Sequence, residues 1–332
     1  MSLDQQEVDL MQSQGGWQRY PVRQLEDLHN LVLGADVEVI HMGRAEIGGS
    51  LAFTAYDGLI LSSTLLRSRA LIRGALSPDA MTFGLGLRFP PGARQWLNPV
   101  ADGEIALLQP GAEHEGLYPS SSLYLAVTLD RDRLEREAAM EGVALDPKLS
   151  SATGLHPEPI SQSLFLQFRK YILHVHDGED SGLPTIEQFS KLFLRSVVHH
   201  YARAHKSKEI RAAPRGRACI VKRARDYIEA NLADPLSMDA VAKAAETSRR
   251  TLYRSFEEIL GEGPLAYATR LRLHALRKDL LISDTSRRIS DLAGRVGFRA
   301  DPGRASTRYR QLFGELPRET RALRIEYDKN WL

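Results

Sequence analysis

SMDAVAKAAETSRRTLYRSFEEILGEGPLAYATRLRLHAL, residues 237–276, reads as helix along most of its length and is punctuated at short intervals. Met238 to Ala245 is a first helical stretch, Glu246-Thr247-Ser248 a turn, and Arg249 to Leu260 a second helix that Gly261 stops at the C′ position. Pro264 opens a longer helix through Leu281. Leu252, Phe256 and Leu260 recur every fourth residue and face inward, which leaves Arg249, Arg250, Tyr253 and Arg254 on the outer face near the helix start. A short helix, a tight turn and a second helix with an arginine-rich face is the helix-turn-helix geometry, whose second helix enters the major groove of DNA.

The scheme then repeats. Thr285 and Ser286 are N-cap candidates, Arg287 to Val296 is a helix, Gly297 a turn, and the next helix ends at Phe313 before Gly314, with Pro317 opening the last one. In this second copy Arg299, Arg304, Thr307 and Arg308 take the equivalent outer positions. An amphipathic helix from Arg217 to Asn231 precedes both copies, and one long helix joins them. Arginine suits such faces better than lysine, because its planar fork bonds a guanine edge or a phosphate in bidentate fashion. Half or more of protein–DNA hydrogen bonds go to the backbone, so each arginine is a candidate for either contact.

These residues resemble the AraC/XylS family of bacterial transcription regulators. The first copy matches through Ser248, Leu252, Phe256, Gly261, Pro264, Tyr267 and Arg270-Leu271, and the second, ISDLAGRVGF followed by RYRQLFGELPRETRA, through Ile289, Ala293, Gly297-Phe298, Phe313-Gly314 and Pro317. The resemblance implies promoter double-stranded DNA as partner, a small-molecule effector, a homodimer, and RNA polymerase as a further candidate partner. Three positions depart from the family pattern. Glu246 stands at a turn position that is usually glycine, one residue more than usual separates Phe298 from Phe313, and Ala305 stands near where an aromatic is expected, so the register of the second recognition helix is left open.

Charge separates the two halves of the 332-residue chain. Residues 211–332 carry 25 Lys and Arg against 16 Asp and Glu, whereas residues 1–210 carry 19 against 26. A basic C-terminal half on an acidic partner is the pattern of a nucleic-acid-binding domain attached to one of another kind. KSKEIRAAPRGR, residues 206–217, is polar, holds Pro214 and Gly216, and has no apolar periodicity. We therefore expect a domain over 1–206, a linker over 207–216 and the DNA-binding domain over 217–332. No apolar run reaches the length of a membrane span and the N-terminus is too polar for a signal peptide, so a cytoplasmic location without membrane contact is expected.

Within 1–206 the pattern changes at Asp130. Before it, the runs LAFTAY, LILSS, MTFGLGLRF, EIALLQ and LYLAVTL read as short strands separated by Gly, Pro, Asp and Ser, a mainly β unit of barrel or sandwich form. After it come three helical stretches, and in the last of them Ile186, Phe189, Phe193, Val197 and Tyr201 share one stripe, either core or a subunit interface. The fold class expected is thus α+β: a barrel-like effector and dimerisation domain with flanking helices, followed by an all-α domain of two helix-turn-helix units joined by a long helix. The segment QPGAEHEGLYPSSSLYLAVTL resembles the late part of the family's barrels, where a Pro-Gly turn precedes a final hairpin.

TLLRSRALIRG, residues 64–74, places three arginines in the acidic half. Read as one strand, it presents Arg67, Arg69, Leu71 and Arg73 on a single face, which meets solvent, acidic neighbours or an anionic effector. The spacing of Arg69 and Arg73 resembles the first half of the PilZ signature for cyclic di-GMP, although the second half is absent. These three arginines are accordingly the candidate effector contacts, with cyclic di-GMP the favoured ligand. No catalytic residue, metal site or cofactor is expected. His114 lacks companion ligands, the adjacent His199 and His200 diverge on a helix, and Cys219, the only cysteine, lacks the context of a reactive thiol. The alternative is a ligand-binding or enzymatic barrel with a vestigial helical domain.

Overall fold

The computed structural model describes residues 16–43, 47–150, 152–156, 158–178, 182–202, 213–282, 287–298 and 302–330. The chain divides into two units, one of residues 1–39 and 47–213 and one of residues 40–46 and 214–332. Residues 207–212 of the expected linker lie outside the described residues.

Two antiparallel sheets build the first unit. One has seven strands in the order β1 (Gln18–Val22), β3 (Gly49–Tyr56), β4 (Leu59–Leu66), β11 (Leu123–Leu129), β6 (Met81–Arg88), β9 (Ile105–Leu108) and β12 (Gly154–Leu155). The other has five, in the order β2 (Asp36–His41), β5 (Ala70–Ala75), β10 (Glu113–Tyr118), β7 (Arg94–Gln95) and β8 (Asn98–Pro99). Strand alternation gives the larger sheet two unlike faces. Phe83, Leu85 and Leu87 of β6 and Leu125 and Val127 of β11 pack on Phe168 and Ile172 of α2 (Gln162–Asp177) and Phe193 and Val197 of α3 (Ile186–Ala202). The apolar stripe of α3 is therefore core. The intervening positions, among them Gly84, Gly86, Tyr124 and Ala126, face the smaller sheet. A shorter helix, α1 (Arg131–Met140), follows β11 and adds Leu134 and Ala138 to the helical side of the core.

The sheets do not close into the expected barrel. Among the described residues every strand pair lies within one sheet or the other, and the chain passes between sheets at corners. β4 pairs with β11 in the larger sheet and their neighbours in sequence, β5 and β10, pair in the smaller. The two corners are knit together by Leu66 N–H to Ser122 O at 2.9 Å and Ser121 N–H to Leu66 O at 2.7 Å. TLLRSRALIRG is thus not one strand: Arg67, Ser68 and Arg69 form the bend at which the chain leaves one sheet for the other. For the same reason the expected final hairpin is absent. β10 and β11 stand in different sheets and do not pair.

In the second unit, α4 (Arg217–Ala230), α5 (Met238–Ala244) and α6 (Arg249–Leu260) precede the long α7 (Pro264–Ile282), and α8 (Ile289–Arg295), α9 (Pro302–Phe313) and α10 (Pro317–Asn330) follow it. The N-cap of α8 is Arg288, two residues beyond the expected Ser286, and Thr285 and Ser286 lie outside the described residues.

A buried arginine sits at the centre of each copy. Arg225 of α4 is 4% exposed, donates from Nε to Tyr267 Oη at 3.0 Å, and Tyr267 in turn donates to Glu229 at 3.0 Å. Arg277 of α7 is 3% exposed, with its Nη1 at 2.5 Å from Glu315 Oε1 and 3.3 Å from both Tyr309 Oη and Thr320 Oγ1. Gly297 completes the joint between the copies. It has φ +94°, and a Cβ there would stand 2.7 Å from Nε of Arg272, which is held by the Leu232 and Asp234 carbonyls. Removing one partner from a buried ion pair leaves the other uncompensated. Arg277→Ala is expected to cost about 3 kcal/mol of stability, read as an earlier urea transition of the helical signal; an unchanged midpoint would contradict the role given to Arg277.

Candidate nucleic-acid interface

The first recognition helix is α6, and its start is fixed by its cap. Ser248 is in extended conformation and its hydroxyl accepts Thr251 N–H at 3.2 Å. Leu252, Ser255, Phe256, Ile259 and Leu260 are buried on one side. Arg249, Arg250 and Arg254 are exposed on the other, at the end of the helix that meets base edges in a docked groove. Arg249 approaches Asp239 of α5 at 3.5 Å, with both side chains more than half exposed, an arrangement worth little and readily exchanged for a phosphate. Among the described residues no hydrogen bond or ion pair engages the side chain of Arg250 or Arg254. Tyr253 differs. It is half-buried, and a Cβ on Gly263 would touch its Cδ1 at 3.5 Å, so it flanks the exposed face instead of standing on it.

Glu246 holds the turn in the left-handed region, with φ +53°. An L residue pays roughly 1–2 kcal/mol there relative to a right-handed conformation. Its side chain accepts from Arg223 Nη1 at 2.8 Å, and Arg223 also donates to the Ala245 carbonyl at 3.0 Å, so α4 braces the turn.

The second recognition helix, α9, settles its own register through burial. Ala305 is 1% exposed, Tyr309 0%, Leu312 6% and Phe313 7%. Arg304, Thr307 and Arg308 consequently lie on the exposed side. Thr307 Oγ1 donates to the Gly303 carbonyl at 3.3 Å, which satisfies its proton within the helix. Arg299 lies outside the described residues. One turn on from the small Ala305, Tyr309 brings its ring against Phe313 at 4.6 Å and its hydroxyl to Thr320 at 2.7 Å.

Of the three arginines of TLLRSRALIRG, Arg73 lies on β5 and Arg67 and Arg69 in the bend before it. Arg67 is exposed at the corner, Arg69 is half-buried beyond it, and Arg73 on β5 donates from Nε to Glu38 at 2.6 Å and lies opposite Glu115 in the ladder. His114 is 6% exposed and lies 2.9 Å from Gln95 Nε2 and 3.3 Å from the Tyr118 hydroxyl. Burial pushes it down to about 4. His176, between the hydroxyls of Ser50 at 2.6 Å and Ser63 at 3.0 Å, is held at about 4 by the same cause. Among the described residues no cluster of histidine, cysteine and carboxylates could hold a metal ion, and no helix is long and apolar enough to cross a membrane.

Arg225 and Arg277 are the buried charged residues of this unit that sequence reading missed. The signal was present: each stands on an apolar stripe, Arg225 between Val221 and Ile228 and Arg277 between Leu273 and Leu280, at offsets of −4 and +3.

Residues 241–323 match the helix-turn-helix domain family. A probable thc operon regulatory protein of Rhodococcus erythropolis is 29% identical over 211 residues, 60% of this chain and 61% of that protein. The HTH-type transcriptional activator RhaS of Escherichia coli is 28% identical over 163 residues, 49% of this chain and 56% of that protein. A solved transcriptional regulator from Chromobacterium violaceum, described as AraC-type DNA-binding domain-containing, is 37% identical and covers 32% of this chain and 91% of that one, with a TM-score of 0.30. The chain spans less than two thirds of the length of either curated relative.

Two outcomes follow from these geometries. Glu246→Gly is expected to raise stability or leave it unchanged, and Glu246→Val to lower it by about 1 kcal/mol, as measured by thermal melting; a destabilising glycine would show that the left-handed turn is not strained. His114 and His176 have folded-state values below the ordinary one, so as pH falls below about 6.5 the unfolded chain takes up protons first. Stability therefore declines from that pH toward about 4, and His176→Asn should flatten the melting-temperature slope between pH 6.5 and 5, roughly above the carboxylate range.

Proposed function

We propose, from a C-terminal domain that belongs to the AraC/XylS family of helix-turn-helix domains, that the chain is a promoter-binding transcription regulator whose N-terminal unit takes a small-molecule effector. The observation that carries this reading is the duplicated surface. α6 and α9 each bury one face in the core of the unit and turn arginines to the other, and the same kind of buried arginine fixes each copy. α7 is 19 residues long, hence about 28 Å, near the ~34 Å that separates successive major grooves on one side of B-DNA.

The base-reading residues of this proposal are Arg249, Arg250 and Arg254 in the first unit and Arg304 and Arg308 in the second, with Thr307 and Arg299 beside them. Tyr253, turned toward Gly263, serves as a flanking contact. A homodimer, RNA polymerase as a further partner and a cytoplasmic location complete the reading. They rest on the family resemblance, since the stripe of α3 is spent on the core. Regulation would be a population shift: effector on the first unit changes how two DNA-binding domains are held, and so their affinity for spaced half-sites. The finer expectation of cyclic di-GMP on Arg67, Arg69 and Arg73 is not carried forward, because these residues straddle a corner and Glu38 already engages Arg73.

Gel retardation with a duplex selected from a random library by the full chain tests the reading. Affinity should fall steeply with salt as phosphate counterions are released. Arg250→Ala or Arg254→Ala should cost about 1–3 kcal/mol on the selected duplex where the arginine reads a base, and weaken selected and scrambled duplexes alike where it holds a phosphate. Absence of binding to any duplex at low salt would overturn the proposal.

A further inference from the structure

We propose that the space between the two sheets of the first unit is a binding site for a small neutral ring compound with one hydrogen-bonding group, held by the Tyr124 hydroxyl. This rests on the reading of that unit as an effector domain and gives the effector a chemical class.

The layer between the sheets is under-filled by its own sequence. A β-sandwich ordinarily fills this layer with interdigitating side chains. Here the larger sheet presents Gly84, Gly86, Ala106 and Ala126 beside Tyr124 and Leu108, while Phe83, Leu85, Leu107, Leu125 and Val127 of the same strands belong to the helical core. The void that results has a volume of about 30 Å³, room for about two waters. A ring compound needs more, and Phe89 can supply it. Its half-buried ring lies tilted by 34° against Tyr118 at 5.5 Å and covers Gly86 so closely that a Cβ on that glycine would collide with it. Phe89 thus fills the place of an incoming ring and gives access when it turns away.

The polar chemistry of the wall selects the ligand. Tyr124 is 6% exposed, stacks on Tyr118 at 5.1 Å, and its hydroxyl has no hydrogen-bond partner among the described residues. Burial raises this phenol, and the Thr64 hydroxyl, which itself donates to the Leu31 carbonyl, offsets part of the rise. A buried hydroxyl is rarely left unmatched in a folded protein, so its partner is a group that enters the space, a water or the polar group of a ligand that displaces it. His114, Gln95 and Tyr118 are by contrast satisfied among themselves. Among the described residues no lysine or arginine lines the space, and the one carboxylate is that of Glu104. A carboxylate or phosphate ligand would find no counter-charge there, which leaves neutral compounds.

The test uses the full chain with p-cresol, benzyl alcohol and benzamide as neutral probes and benzoate and phenyl phosphate as anionic ones, followed by calorimetry and thermal melting. At least one neutral probe should bind saturably and raise the melting midpoint, with the anions inert. Tyr124→Phe should weaken that binding about fivefold while leaving the ligand-free midpoint unchanged or higher, because the orphan hydroxyl is gone. Ala126→Leu should abolish binding by filling the space. The inference is overturned if no neutral probe binds at millimolar concentration, if the anions bind better, or if Tyr124→Phe binds as the parent does. Salt-dependent DNA binding is measured on the same preparation. If it persists while every probe fails, only the ligand inference falls; if it is absent, the regulator reading falls instead.

Discussion

Arg277 cannot lie 3% exposed without partners, and the partners it has come from three separate segments: Tyr309 on α9, Glu315 after it and Thr320 on α10. Burying a guanidinium is tolerated only where its hydrogen bonds are all returned. The second helix-turn-helix unit is accordingly locked onto the end of α7 in one arrangement. Arg225, Tyr267 and Glu229 impose the same condition at the other end of that helix. Between them, Arg272 ties α7 to the Leu232 and Asp234 carbonyls and leaves no room for a side chain at position 297. The two helix-turn-helix units are thus tied to one long helix, α7. The exposed arginines derive their relative placement from the buried ones.

The first unit is organised by a different constraint, the two unlike faces of its larger sheet. The face against α2 and α3 is filled with large aliphatic and aromatic residues, which gives the unit its core. The opposite face is small and polar, with Thr82 and Thr128 bonded to each other at 2.9 Å and Ser62 accepting Leu33 N–H at 3.1 Å. With a ligand bound as proposed, stability and binding would be assigned to opposite sides of one sheet. Filling the second side would add packing but remove the space.

What could be read from the sequence follows the same division. The runs LAFTAY, LILSS, MTFGLGLRF, EIALLQ and LYLAVTL became β3, β4, β6, β9 and β11, all in the larger sheet, because the face packed on α2 and α3 recurs as large apolar residues at alternate positions. β2 went unread, β10 was read only as an arm of a hairpin with β11, and β5 only as part of one continuous strand with the end of β4. They belong to the smaller sheet, whose outer positions are polar, and β5 is hidden inside TLLRSRALIRG behind a bend that no turn-forming glycine or proline announces. In the helical unit the four-residue spacing of Leu252, Phe256 and Leu260 was enough to turn Arg250 and Arg254 outward. The register of α9 was not legible, since it depends on Tyr309 packing under Arg277 and Phe313, a contact between segments far apart in the chain. Arg225 and Arg277 were passed over because an arginine is ordinarily a surface residue.

The central claim is that α7 holds two recognition helices at a fixed spacing for two successive major grooves. Methylation protection of guanine N7, mapped on a duplex that the full chain selects from a random library, reads this directly. The account predicts two clusters of major-groove protection on one side of the duplex, separated by about one helical turn, 10–10.5 base pairs, for each bound chain. A single cluster per chain, or protection confined to the minor groove, would contradict it.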